Sequence, residues 1–270
     1  MQIKLKSAVF ALTVSGLALT TRAGFILLDN FESYNVNRGV TDTNPGDLGA
    51  TWSNAGFNAS EMEVINDNGN QVLRITNTDS GNSSFAFRAL PTEIAGSSTE
   101  ATYFWRMRFV DTPLQAWTGL TQTESNPNDF GDWDTYAGIN TSQSPNNINV
   151  RDGGSNVTPG NIAANTWGYF WMVVDNSQDE FELFYNITGD TAVSGDSLGT
   201  FSFRNVTGGD PLVNFGIIRG GLDGGEIQFD DIYIDTTGAN LVNPIPEPST
   251  LVLLGLAGLS AISVLRKKQS

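Results

Sequence analysis

Between Ala101 and Val110 the side chains alternate so strictly that they constrain everything around them. Tyr103, Trp105, Met107 and Phe109 fall on one face of an extended strand, and Phe104, Arg106 and Arg108 fall on the other. Similar short runs, rich in β-branched and aromatic residues and separated by Gly, Asn, Asp, Ser and Pro clusters, recur through the chain, and no stretch of ten residues shows a helical apolar period. The pattern predicts strands at 25–29, 61–65, 72–76, 85–90, 101–110, 137–140, 147–151, 167–175, 180–186, 197–203, 212–219 and 226–235. Two hairpins stand out, one turning at Asn66–Asn70 and the other at Asn176–Asp179. About a dozen strands suit an all-β, two-sheet jelly-roll sandwich.

The absences narrow the chemistry. With no histidine in the chain, Ser-His and Cys-His catalysis and every His-ligated metal site are excluded. With no cysteine, a fold outside the cytoplasm has to hold without disulfides, which a body of this size can do by burying apolar area. All four lysines, at 4, 6, 267 and 268, lie near the ends. Between residues 24 and 242 stand 28 acidic side chains against eight arginines, or twenty net negative charges. Such a surface repels nucleic acid and anionic lipid, and neither is expected as a partner.

The two ends read as targeting segments. Lys4 and Lys6 precede an uncharged stretch from Ser7 to Thr21, with small residues around Ala23, the layout of a secretory signal peptide over 1–23. At the other end, Pro244, Pro246 and Pro248 rule out helix before Ser249. The 17 residues from Ser249 to Leu265 carry no charge, and as a single transmembrane helix they span roughly 25 Å. Arg266, Lys267 and Lys268 follow and favour a cytoplasmic C-terminus.

Pro246-Glu247-Pro248, the short apolar run and the basic end together resemble the PEP-CTERM sorting signal of exported bacterial proteins. The resemblance implies an exosortase-type membrane protease as partner, cleavage near Pro-Glu-Pro, and release or attachment at the cell surface or in the extracellular matrix, often alongside exopolysaccharide. The expected organisation is a signal peptide (1–23), a β-sandwich (24–242) and a sorting signal (243–270), with 240–248 as the linker to an anchor that is temporary. Within the body, Trp167–Asp175 followed by Phe181–Tyr185 resembles the paired strands of concanavalin A-like and laminin-G-like sandwiches. Asn30-Phe31-Glu32 and Phe229–Ile232 resemble the first and last strands of jelly-roll carbohydrate-binding modules.

Four groups of side chains are candidates for function. If the terminal strands lie side by side, Glu32, Asp230 and Asp231 converge on a structural Ca²⁺, as the jelly-roll resemblance implies; otherwise the aspartates face solvent at a sheet edge. Arg106 and Arg108 line a glycan-binding groove or a solvated face. Asp129, Asp132 and Asp134 lie among aromatics, so that loop either presents Trp133 and Tyr136 to a sugar or tucks Trp133 into the sandwich. Glu180 and Glu182 share a strand face, as the two carboxylates of a glycoside hydrolase do, but Asp179-Glu-Phe-Glu-Leu-Phe lacks the Glu-x-Asp-x-x-Glu run of concanavalin-like hydrolases. A polysaccharide lyase on this fold leans on His, Tyr, Arg or Lys, and the body has neither His nor Lys. The chain reads as a non-enzymatic, structural or carbohydrate-associated surface or matrix protein, with exopolysaccharide or another glycan as its candidate ligand and a glycosidase or lyase as the alternative.

Overall fold

A computed structural model of the 270-residue chain describes residues 24–39, 52–55, 61–76, 81, 83–98, 100–111, 115–141, 146–206, 208–222 and 224–245. Its strands, in chain order, are β1 (Ile26–Asp29), β2 (Arg38–Gly39), β3 (Ser53–Ala55), β4 (Met62–Asp67), β5 (Asn70–Thr76), β6 (Ser84–Ile94), β7 (Ala101–Asp111) and β8 (Gln115–Thr121). There follow β9 (Thr135–Asn140), β10 (Asn147–Asp152), β11 (Ser155–Asn161), β12 (Trp167–Asp175), β13 (Glu180–Asn186), β14 (Ser197–Ser202), β15 (Leu212–Arg219) and β16 (Glu226–Asp235). Short 3-10 turns sit at Phe130–Asp132 and Ser194–Asp196. No helix among the described residues is long and apolar enough to cross a membrane. The expected signal peptide and most of the sorting tail, including Pro246, Glu247, Pro248, Arg266, Lys267 and Lys268, lie outside the described residues.

Antiparallel pairing sorts the strands into two sheets. A nine-stranded sheet runs β14-β13-β12-β7-β16-β5-β4-β2, with β1 also paired to β16, and a seven-stranded sheet runs β11-β10-β9-β8-β15-β6-β3. The first and last strands are neighbours, Ile26 opposite Ile234 and Leu27 opposite Tyr233. The architecture is the expected all-β two-sheet sandwich.

The alternation on β7 decides which face closes the sandwich. Tyr103, Trp105, Met107 and Phe109 are buried between the sheets with Phe170, Met172 and Val174 of β12, and against Leu120, Phe215 and Ile217 of the facing sheet. Trp105 stacks on Phe170 with ring centroids 5.2 Å apart and planes within 5°. Each such side chain contributes about 1.5–3 kcal/mol on burial. The outer faces carry smaller apolar clusters: Phe85, Trp117, Trp133, Tyr136 and Ile218 on the seven-stranded sheet, and Phe104, Trp171, Phe184 and Tyr233 on the nine-stranded sheet.

Turn chemistry fixes the hairpins. Asn68 and Gly69, at φ 56° and 96°, form a two-residue turn of the type whose twist matches the strands it joins, and β4 and β5 pair right up to it, Asp67 opposite Asn70. Between β12 and β13, one Asp175 carboxylate oxygen accepts the N–H groups of Ser177 and Gln178 at 3.0 and 3.1 Å.

Candidate functional site

Because the even-numbered aromatics and apolars of β12 face the core, its odd-numbered residues Trp167 and Tyr169 share the outer face of the nine-stranded sheet with Arg106 and Arg108. The register places Trp167 opposite Arg108, Arg108 opposite Gln228, Gln228 opposite Arg74, and Arg74 opposite Glu63, one polar row across five strands. In the next row Tyr169 lies opposite Arg106, and Arg106 opposite Asp230. The guanidinium carbons of Arg106 and Arg108 stand 4.7 and 4.9 Å from the centroid of the Trp167 ring, each a cation–π contact worth about 0.5–2 kcal/mol.

Every arginine of this platform already has an anion. Arg108 Nη2 lies 2.7 Å from Asp67 and donates to Gln228, and Arg74 pairs with Glu63. Arg106 binds two carboxylates, Asp230 through Nη2 and Asp231 through Nε at 2.6 Å. Successive strand residues ordinarily point to opposite faces. Here Asp231 has φ 51° and the β16 register breaks between Asp230 and Tyr233, so both aspartates reach one guanidinium. Burial pushes both carboxyls above the usual range, and Arg106 opposes that shift; at Asp230 the Asp231 charge adds to it. Burial works against the Arg106 charge too, but the two carboxylates outweigh it and hold its pKa above the ordinary value.

This arrangement bears on the calcium expectation for Glu32, Asp230 and Asp231. Glu32 is exposed and accepts the Gln71 N–H at 2.8 Å, and its charge helps raise Asp231. A Ca²⁺ ion takes about six to eight oxygen ligands, whereas here a guanidinium holds the place between the two aspartates. No group of three or more acidic side chains among the described residues is placed to hold a metal. The residues do not fit the ion.

Trp133 and Tyr136 are also not where a sugar could stack on them. Trp133 is 0% exposed and Tyr136 3%; both belong to the apolar cluster on the seven-stranded sheet, Tyr136 edge-on to Trp117 at 5.8 Å. The acidic loop beside them holds its own backbone. Asp129 accepts the Gly131 N–H at 2.7 Å, and Asp132 accepts the N–H groups of Asn128 and Asp129, both at 2.9 Å. Asp134 is buried and accepts the Gln122 N–H at 2.6 Å. Burial pushes its carboxyl up to about 6, with the Gln122, Asn205 and Thr121 hydrogen bonds opposing.

Glu180 and Glu182 line a shallow depression of about 190 Å³ with Glu100, Asp175 and Thr200, and Glu182 accepts the Ser197 hydroxyl. A larger cleft, about 760 Å³, opens at the Trp167 end of the sandwich, lined by Thr166, Tyr185, Asn186, Thr188, Val193 and Asp196 among others. Burial pushes the Tyr185 phenol up to about 12, so it stays protonated and able to donate. Thr166 precedes Trp167, Asn186 lies opposite Tyr169, and the Tyr169 ring lies near Gly189, between the lining residues Thr188 and Asp190. The cleft therefore opens at the platform's end of β12, with none of Trp167, Tyr169, Arg106 and Arg108 in its lining. The structure brings Arg106 and Arg108 together with Trp167, which the sequence reading placed in a strand but in no candidate site. The parity of β12, with Phe170, Met172 and Val174 inward, was the available signal.

Comparison with known proteins yields a fold and a motif. The catalytic domain of a glycoside hydrolase family 131 protein from Coprinopsis cinerea superposes with a TM-score of 0.53 at 14% identity, over 79% of this chain and 94% of that one. A sialidase superposes with a TM-score of 0.51 at 11% identity over 75% of this chain, which spans 19% of the sialidase's length. A Lotus tetragonolobus seed lectin gives a TM-score of 0.43 at 10% identity, covering 74% and 96% of the two chains. No curated protein sequence matches. Residues 244–268 match the PEP-CTERM protein-sorting motif, which marks the chain as an exported protein sorted at the membrane.

Proposed function

We propose that the protein is an exported, non-enzymatic cell-surface or matrix component whose sandwich binds a neutral glycan at the Trp167 platform and the adjoining cleft, and whose tail is cut by an exosortase-type protease near Pro246-Glu247-Pro248. The sorting motif carries the destination. The glycan reading is carried by one observation, a cleft of about 760 Å³ whose rim offers Thr, Asn and Asp hydrogen-bonding groups beside the half-buried aromatics Trp167 and Tyr169, the mixture of apolar faces and polar groups that sugars require. A neutral ligand follows from the pairing: Arg74, Arg106 and Arg108 are each matched to carboxylates, which leaves no free cation there for a uronate or sulfate.

A glycan array probed with the purified full-length protein tests this. Binding to neutral polysaccharides is expected, lost in Trp167→Ala and kept in Trp133→Ala at temperatures where that variant is folded. Binding to no polysaccharide sinks the glycan reading. The array polymers should also yield no reducing sugar; release from β-glucans that disappears in Glu180→Gln or Glu182→Gln establishes the hydrolase instead.

A further inference from the structure

The chain just before Pro246 does not leave the sandwich as a free linker. After β16 it turns back over the outer face of the nine-stranded sheet and is held there from 238 to 245. The Thr102 hydroxyl donates to the Gly238 carbonyl at 3.0 Å and accepts the Asn240 N–H at 2.8 Å, and the Asn240 side-chain amide donates to Asp235 at 2.8 Å. The Ala192 N–H donates to the Leu241 carbonyl at 2.9 Å, the Trp171 indole N–H to the Val242 carbonyl at 3.2 Å, and the Asn243 amide to the Gly189 carbonyl. Leu241 and Ile245 pack on the cluster of Phe104, Trp171, Phe184 and Tyr233, and Pro244 is buried. Expected as linker, residues 240–245 are instead part of the sandwich.

We propose that this docked strap restrains processing of the sorting motif, so that the membrane protease gains the segment it needs only when residues 241–245 detach. This rests on the sorting reading above. A protease binds its substrate as an extended strand through main-chain hydrogen bonds. Directly upstream of Pro246 those groups are already engaged: the carbonyls of Leu241 and Val242 accept from Ala192 and Trp171, and the Ile245 N–H donates to the Asn243 side chain at 2.9 Å. Docking on the sandwich and docking in a protease cleft are therefore mutually exclusive, and the cutting rate scales with the undocked fraction.

The test follows cleavage of the full-length chain by mass in cells that carry the protease, for wild type and two variants. Leu241→Ala with Asn243→Ala loosens the strap and is expected to raise the cutting rate about tenfold, equivalent to about 1.4 kcal/mol. Ala192→Cys with Leu241→Cys places a thiol pair at the backbone-bonded positions in a chain that has no other cysteine; oxidised, it is expected to be cut at least about tenfold more slowly than wild type and to recover on reduction. An equal or lower rate in the loosened variant overturns the proposal. Amide exchange of residues 192 and 240, whose N–H groups bond Leu241 and Thr102 across the docked contact, reads the strap by itself in the purified full-length protein. Protected amides with no cutting in any variant sink the sorting reading and the proposal together, whereas freely exchanging wild-type amides with normal cutting sink the strap alone.

Discussion

Arg88 shows why a sandwich with no lysine between residues 24 and 242 relies on arginine. Its guanidinium is 2% exposed, donates to the Leu28 carbonyl and to Asp29, and lies 5.7 and 5.8 Å from the ring centroids of Trp52 and Phe215. A planar fork makes several directed contacts at once, which a lysine ammonium on a flexible stem cannot reproduce. Asp29 also accepts from the Phe31 N–H, the Tyr34 hydroxyl and the Trp52 indole, each at 2.9 Å, so this one carboxylate ties β1 to the segment after it and to β6. Burial pushes its carboxyl up and Arg88 opposes. Arg88→Leu is expected to cost about 3–5 kcal/mol in urea unfolding at pH 7, because it leaves a buried charge without its partner, and to cost less at acid pH, where that carboxylate can take a proton. Asp134 offers a cleaner titration. Its folded pKa of about 6 stands above the unfolded 3.8, so its stabilising contribution is fully present below about pH 4 and is lost as pH rises through about 6. Acidification from pH 7 to 5 should therefore raise the melting temperature, and Asp134→Asn should remove about 1–2 kcal/mol of that gain. An identical pH response in wild type and variant contradicts the assignment.

At the scale of elements, what was legible depended on whether side chains or backbones set the local structure. β7 announces itself by alternation and β12 and β13 by their aromatic and β-branched runs, and the pairing of β12 with β13 follows from the turn at 176–179. Alternation does not mark β8 (Gln115–Thr121), where Gly119 interrupts the pattern; close backbone approach is the reason for that glycine. A Cβ there would meet the Thr135 carbonyl oxygen at 1.8 Å, and one at Gly138 would meet the Ala116 carbonyl oxygen at 2.1 Å. Neither contact has a signature in a single sequence. Gly119→Ala should thus force β8 and β9 apart and cost at least about 2 kcal/mol, while Gly154→Ala, with nothing within 4 Å of its Cβ, should change stability by no more than about 0.5 kcal/mol. The site was legible in the same uneven way. Arg106 and Arg108 were found by their face, but the bulge at Asp231 that turns two successive aspartates onto Arg106 cannot be read from alternation, which puts them on opposite sides. For Trp133 the sequence left exposure and burial both open, and contacts outside the local pattern decide it: the acids Asp129 and Asp132 bind backbone and leave the ring to the outer apolar cluster.

For the whole molecule, the charge visible in the sequence and the pairing visible only in the fold act together on partner choice. Twenty net negative charges between residues 24 and 242 set a repulsive field for any polyanion, and the arginines beside the cleft do not break it locally because Glu63, Asp67, Asp230 and Asp231 cancel them. Salt separates this field from contact chemistry, since the Debye length shrinks from about 10 Å at 0.1 M to about 3 Å at 1 M. A neutral polysaccharide held by Trp167, Tyr169 and the polar rim should bind the full-length protein with the same affinity at both ionic strengths. A uronate polymer should bind weakly at 0.1 M and gain affinity as salt screens the repulsion, the reverse of the usual behaviour of polyelectrolyte contacts. Titration calorimetry at the two salt concentrations decides between them. Tight binding of the uronate polymer at low salt that falls away at 1 M would mean that the platform arginines exchange their carboxylate partners for the ligand, and that the acids on β16 are a displaceable lid over a cationic site.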